Sequence, residues 1–245
     1  MTSSDLMRDS FDRAAATYLE HAEAPAALAR WVADWLPAER AGRALEVGAG
    51  PGVFTRLLLP WSGPVLATDL SAAMCAAGRS RVPEVRWRTM AAERPAAGPW
   101  DWILSSGMLQ WAADPADVFG AWREQLAPGG RILAGLFASG SLPEWGGVAG
   151  DWSPIDWRTP QDWREAIAAG GLRIVRDGSD RREFRHASAR DFLRALHGIG
   201  AAPRRRLGPG ALRKILRDYE ARFGNRTGVR ATWAFYRFEA VADTV

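Results

Sequence analysis

An α/β fold on an open, mostly parallel sheet is predicted by three observations. The segment Ala44–Val47 is apolar and strand-like, and it passes through Gly48, Gly50 and Gly52 into a helical pattern at 54–58. Short apolar runs return at Val65–Asp69, 85–88, 100–105 and 131–137, with helical periodicity between them. Such alternation builds crossover units, whose helices cover both faces of the sheet. Further runs at 172–176 and 232–241 bring the expectation to seven strands in a Rossmann-like arrangement.

The N-terminal 1–37 reads as a cap of two helices broken near Pro25, with Phe11, Ala15, Tyr18 and Leu19 recurring at helical spacing. Phe11 reads there as a packing residue over a sheet edge. A helix starts at Pro115 after Asp114, because proline suits the first helical position, and ends near Leu126. Pro128-Gly129-Gly130 marks the turn before the fifth strand. Residues 138–165 are rich in Gly, Pro, Ser and Trp and read as a lid, with a short helix at 161–169 closing into Gly170-Gly171. Ser188 and Asp191 read as a capping box that opens a helical segment over 188–223. One domain spanning 1–245 is expected.

Composition narrows the function. The chain has 245 residues, 47% of them hydrophobic, which is enough for a substantial core. Cys75 is its only cysteine, so neither a disulfide framework nor a cysteine metal cluster is available, and a reducing cytoplasm fits. No run approaches the roughly 18 apolar residues a membrane helix needs, and the N-terminus has no signal-peptide pattern. The formal charge is +4, carried almost wholly by arginine, since Lys214 is the only lysine. That mild excess favours acidic partners without indicating nucleic acid. Neither a membrane nor a nucleic-acid partner is expected, and the chain is expected to be a monomer.

The chemistry-bearing stretch is Glu46-Val47-Gly48-Ala49-Gly50-Pro51-Gly52. A dinucleotide fold spaces its glycines as G-x-G-x-x-G and sets a diphosphate on the helix N-terminus. Here the spacing is E-x-G-x-G-x-G. Glu46 beside the loop would repel a diphosphate but attract the ammonium and sulfonium of S-adenosyl-L-methionine (SAM). The pattern resembles motif I of the class I SAM-dependent methyltransferases.

Asp69, at the tip of the second strand, stands where an acid holds a ribose diol. Asp69-Leu70-Ser71, with Met74 three residues on, resembles motif II of small-molecule methyltransferases. By that resemblance Leu70 lies against the adenine, and Ser71 caps the helix that carries Met74. The family follows the third strand with an acid for the adenine amino group. Here that position is Met90, with Ala91 next and Glu93 available as a stand-in. Ser105, closing the fourth strand, completes the expected cofactor set of Glu46, Gly48, Gly50, Gly52, Asp69, Leu70, Met74, Met90 and Ala91. The polar-Pro-Pro-aromatic motif of base amino methylation is absent after that strand.

Several runs point to one branch: Phe11-x-Arg13-Ala14-Ala15-x-x-Tyr18, Ser105 through Gln110-Trp111, Gly140-Ser141-Leu142-Pro143-Glu144 and Ile199-Gly200-Ala201. Together they resemble the malonyl-acyl-carrier-protein O-methyltransferases of biotin synthesis, over nearly the whole chain. The resemblance implies esterification of the free carboxylate of a malonyl thioester, on an acyl carrier protein or coenzyme A. It places Tyr18 over the cofactor as a positioning residue and Gln110 and Trp111 at the substrate. Carrier proteins are acidic, so Arg204, Arg205 and Arg206, with Arg213 and Lys214, suit docking; a solvated basic turn is the alternative. Trp111, Trp145, Trp152 and Trp157 lie in segments that could line an acyl channel. The branch's His-x-Asn-x-Phe lid cluster is replaced by Pro154-Ile155-Asp156-Trp157-Arg158.

A carboxylate nucleophile is ionised at neutral pH, its reference pKa being about 4, and needs no general base. His21, His186 and His197 are dispersed in sequence, and no metal site is expected. Two other readings stay open: a SAM-dependent methyltransferase for another small-molecule acid or phenol, and a non-catalytic SAM- or nucleic-acid-binding protein.

Overall fold

The computed structural model describes residues 3–150, 155, 157–201 and 208–242. In chain order the elements are α1 (Ser3–Ala14), α2 (Glu23–Ala33), β1 (Ala44–Val47), β2 (Val65–Asp69), α3 (Ala72–Arg81), β3 (Arg86–Thr89), β4 (Trp100–Ser106), α4 (Pro115–Arg123), β5 (Leu126–Phe137), α5 (Pro143–Ala149), α6 (Pro160–Ala169), β6 (Leu172–His186), α7 (Ala189–Gly198), α8 (Pro209–Phe223), β7 (Gly224–Asn225) and β8 (Gly228–Ala242). Seven strands form one path, β3-β2-β1-β4-β5-β8-β6, and the two-residue β7 pairs with β8 alone. The five strands from β3 to β5 are parallel, while β8 runs antiparallel to both β5 and β6. Chain order reverses between β1 and β4, and a ligand crevice opens at such a switch point, outside the carboxyl ends of the strands.

Alternation along β1 fixes the layers. Leu45 and Val47 pack with Val118, Phe119, Trp122 and Trp163 on the side of α4 and α6. Ala44 packs with Leu28, Val32, Phe54 and Leu58 on the side of α2. Glu46 lies between Leu45 and Val47, so period two sends it to the α2 side, where it is 1% exposed. A smaller cluster holds α3 to β3 through Cys75, Val82 and Trp87.

Several boundaries differ from the sequence reading. The break in the N-terminal helices falls around a 3-10 turn at Tyr18–Glu20, and Pro25 sits inside the first turn of α2. A proline is tolerated there because first-turn amides have no intrahelical acceptor. The helix expected after the glycines is only a four-residue 3-10 turn, Thr55–Leu58, cut short by Pro60. β5 begins before Pro128-Gly129-Gly130, since Leu126 already pairs with Trp100 and the turn is absorbed as a bulge ahead of Arg131. β3 is displaced by one residue toward Thr89.

The largest difference is β6. The strand read as ending at Arg176 continues to His186, paired with β8 throughout. Asp177-Gly178-Ser179-Asp180 has the composition of a turn, yet it lies on an outer strand whose charged side chains face solvent. Ser188 caps α7 by accepting from the Asp191 amide at 3.1 Å, but its hydroxyl donates to the Asp191 carboxylate, so only half of the capping box forms.

The segment 138–165 contains α5 and the start of α6. Trp145 on α5 is 1% exposed and packs on Phe192 and Tyr219, so it is a core residue and lines no channel. Trp157 meets Trp233 edge-on at 6.2 Å. Trp152, Pro154 and Asp156 lie outside the described residues. No helix among the described residues is long and apolar enough to cross a membrane.

Candidate active site

A cavity of about 740 Å³ opens at the carboxyl ends of β1, β2 and β4. The loop after β1 forms one wall. Gly48 has φ +73°, and a Cβ there would meet Met108 Cγ at 2.3 Å. Gly50 has φ +55°, and a Cβ there would meet nothing within 4 Å. Both backbones are ones L side chains resist. The first glycine lets the loop close on the segment after β4; the second leaves bare backbone facing open space.

Asp69, at the tip of β2, holds this loop. Its Oδ2 accepts from the Gly50 amide at 2.8 Å and its Oδ1 from the Ser71 amide at 2.8 Å. Ser71 caps α3 by accepting from the Met74 amide at 3.0 Å, and its hydroxyl donates to Asp12 of α1. Burial pushes the Asp69 carboxyl above the usual range, the amides of Ser71 and Gly50 pull it back, and the charge of Asp12 pushes it up again. Glu46 lies behind the loop. Burial raises it to about 8, the neighbouring Thr55 lowers it, and the charge of Asp69 raises it. Its Oε2 is buried with no hydrogen-bond partner among the described residues. Tyr18 is also raised, by burial first and then by Asp69, so its phenol keeps its proton.

These groups share one property. Asp12, Glu46 and Asp69 gather three carboxyl groups, and no cation is among the groups that set the titration of Glu46 or Asp69. A charge left uncompensated in a desolvated site is costly, and an entering cation relieves it. The unpartnered Glu46 oxygen and the bare Gly50 backbone therefore fit a sulfonium nucleoside with an ammonium group. They do not fit a diphosphate.

Of the residues expected at the cofactor, Tyr18, Gly48, Gly50, Asp69, Leu70, Met74, Met90 and Ala91 line the cavity, as does Trp111. Four others do not. Glu46 sits behind the wall because of the strand alternation. Gly52 faces Val82 and Trp87, with φ +89°. Ser105 is fully buried within the sheet and donates to the Val47 carbonyl at 2.9 Å. The Gln110 amide turns inward to the Gly107 carbonyl at 2.6 Å, and its Oε1 is buried without a partner among the described residues. Arg204, Arg205 and Arg206 lie outside the described residues.

Phe11, read as a packing residue, lines the cavity and meets Trp111 edge-on, with ring centres 5.4 Å apart. Met108, Ala112, Ala113 and Arg94 also line it, and the sequence reading passed over them. Their only signal was adjacency to the ends of β3 and β4. Glu93 reaches the wall beside Met90. His21 and His186, distant in sequence, share a separate small cavity of about 20 Å³.

The sheet order and the cation-seeking corner define a class I SAM-dependent methyltransferase. Residues 45–132 match the model of a methyltransferase domain family. A malonyl-acyl-carrier-protein O-methyltransferase of Enterobacter lignolyticus is 31% identical, with 78% of each chain covered. The chain belongs to the malonyl-acyl-carrier-protein O-methyltransferase family. It is also 34% identical to the biotin biosynthesis bifunctional protein BioCD of Bordetella avium, over 92% of this chain, and spans only 50% of that longer relative. In fold it is similar to a phosphoethanolamine N-methyltransferase 2 of Haemonchus contortus in complex with S-adenosylhomocysteine. The TM-score is 0.63 at 16% identity, covering 100% of this chain and 61% of the other.

Proposed function

We propose that this chain methylates the free carboxylate of a malonyl thioester borne by an acyl carrier protein, with SAM as methyl donor, as a step of biotin biosynthesis. The observation that carries the reading is the uncompensated pair Glu46 and Asp69 on either side of the glycine bend, in a chain of this family.

When bound, SAM supplies a methyl group already activated by a positive sulfur. The rest falls to the chain. Asp69 would hold the ribose hydroxyls through lone pairs not used by Gly50 and Ser71. Glu46, one layer behind, would balance the positive charge through the loop. Leu70, Met74, Met90 and Ala91, which line the cavity, would supply the apolar wall for the adenine. Trp111 and Phe11 form an apolar wall that keeps water from the nucleophile. Tyr18, neutral at any working pH, orients the acyl end by hydrogen bonding. The substrate carboxylate arrives ionised, so alignment and exclusion of water suffice, and no general base is needed.

The test is incubation of the purified protein with SAM and either malonyl-carrier protein or malonyl-CoA, followed by mass spectrometry of the product. A methyl ester on the malonyl group is expected. Methyl transfer only to other acids or phenols would replace this reading with that of a natural-product methyltransferase, which Met90 favours by standing where the resembled enzymes carry an acid. SAM binding without methyl transfer to any acceptor would leave a binding protein.

A further inference from the structure

Some cations on the described surface are held in ion pairs. Arg164 pairs with Asp177, Arg182 with Asp180, Arg185 with Glu183, and Lys214 with Asp218. Between α7 and α8 three arginines, unpaired among the described residues, converge on one groove. A groove of about 510 Å³ there is lined by Arg190, Arg213 and Arg217, with Gly210 and Leu216 between them. All three arginines are exposed, and among the described residues none has a salt bridge or a side-chain hydrogen bond. The carboxylate on the groove wall, Glu220, is engaged by the Ala189 amide at 3.1 Å. Arg213 and Arg217 stand four apart on one helix, where like charges repel. Gly210 and Leu216 add uncharged lining between the arginines.

One of the two helices that form the groove, α7, leads to the cavity wall. The end of α7 packs on the N-terminal cap: Gly198 lies against His21, Gly200 against Phe11, and Ser10 donates to the Gly200 carbonyl at 3.1 Å. Phe11 lines the cavity. The chain from Gly200 to Gly208, which joins α7 to α8, carries Arg204, Arg205 and Arg206 in its sequence. Arg190 stands eight residues before Gly198 on α7, about 12 Å along the helix, a span for an extended acyl arm to bridge.

We propose that the α7–α8 groove docks an acidic helix of the acyl carrier protein, its carboxylates at helical spacing meeting Arg190, Arg213 and Arg217 while its acyl arm reaches the cavity past Phe11. This rests on the malonyl-thioester reading. Complementary charge of this kind acts on encounter and orientation, so its loss raises KM for the charged partner more than it lowers kcat.

The experiment compares wild type with the triple variant Arg190→Glu, Arg213→Glu, Arg217→Glu in the full chain; a triple Gln variant serves if melting shows the first to be unfolded. Two substrates are used: malonyl-carrier protein, and the malonyl thioester of N-acetylcysteamine, which carries no phosphate. Binding of labelled malonyl-carrier protein is followed in parallel by fluorescence anisotropy at two salt concentrations. For the carrier-bound substrate, kcat/KM is expected to fall at least about tenfold, through KM. Turnover of the small thioester should be unchanged, and carrier affinity should weaken with salt in wild type only. Equal losses on both substrates, or undiminished carrier turnover, would overturn docking at this groove. So would tighter arginine-dependent binding of a DNA or RNA duplex than of the carrier. If wild type methylates neither thioester, the methyl-transfer reading falls, and the anisotropy still decides the docking.

Discussion

The amide of Gly50 donates to Asp69 Oδ2 at 2.8 Å, joining the bend after β1 to the tip of β2. Two motifs that are separate in sequence thus act as one structural unit. Removing the acid takes the anchor from the bend and, on the proposed function, the acceptor from the ribose. For Asp69→Ala we expect SAM affinity to fall by about 1–3 kcal/mol, the range for a hydrogen bond to a charged group. Isothermal titration calorimetry checks this, and unchanged affinity would remove Asp69 from the cofactor site.

The bend separates folding from binding. At Gly50 a Cβ enters open space, so Gly50→Ala should cost the fold only the strain of a left-handed backbone, about 1–2 kcal/mol. At Gly48 the same change also overlaps Met108, adding about 1–3 kcal/mol. Urea unfolding should therefore rank Gly48→Ala well below Gly50→Ala, while calorimetry shows both impaired in SAM binding. The opposite stability order would contradict the loop geometry.

Glu46 makes the free protein sensitive to pH. Its folded carboxyl titrates at about 8, far above the usual glutamate range. The folded state therefore holds a proton that the unfolded chain releases. That contribution is complete below the unfolded range and is lost as pH rises toward about 8. Melting temperature should decline across this window in wild type and stay flatter in Glu46→Gln. A cationic ligand favours the ionised carboxylate, so SAM should bind wild type more tightly at about pH 7 than at about pH 6, both below the roughly 7.7–8.0 where an α-amino group loses its proton, and the variant with little change. A parallel pH slope in both proteins would mean that Glu46 is not the titrating group.

Phe11 and Trp111 connect α1 to the segment after β4 through one edge-on contact at 5.4 Å. Such pairs contribute about 0.5–1.5 kcal/mol beyond buried area. A double-mutant cycle of Phe11→Leu and Trp111→Leu in urea should recover a coupling of about that size. Additive effects would show that α1 is held elsewhere, for instance by Asp12 on Ser71.

The parallel half of the sheet was legible because each strand there is short, apolar and ends in a recognisable turn. β2 was read to the residue for that reason. β6 was not, because an outer strand can be polar on both sides, and charges there look like the end of a strand. Within the site, Gly48 and Gly50 were read from the glycine spacing, Asp69 from its place at a strand tip, and Leu70 from the motif resemblance; all four line the cavity. Ser105 and Gln110 were misplaced because the sequence does not say whether a polar side chain at a strand end faces the crevice or caps a neighbouring carbonyl. Phe11 was undervalued for the converse reason: a helical stripe shows that a residue is covered, not what covers it. Asp12 gave no signal, since its effect on Asp69 runs through the Ser71 cap and exists only once α1 is folded over α3.

β6 and β8 run on well past the strands they flank. β5 meets β8 only from Arg131 to Phe137, whereas the β6–β8 ladder continues to His186 and Val229. That overhang is a two-stranded arm outside the parallel core, and α5, α7 and α8 are mounted on it. Sequence change on the arm can therefore reshape what the enzyme accepts, or whom it meets, while leaving the grip on the nucleoside alone. A lineage wanting a new acceptor would need to rebuild only the outrigger.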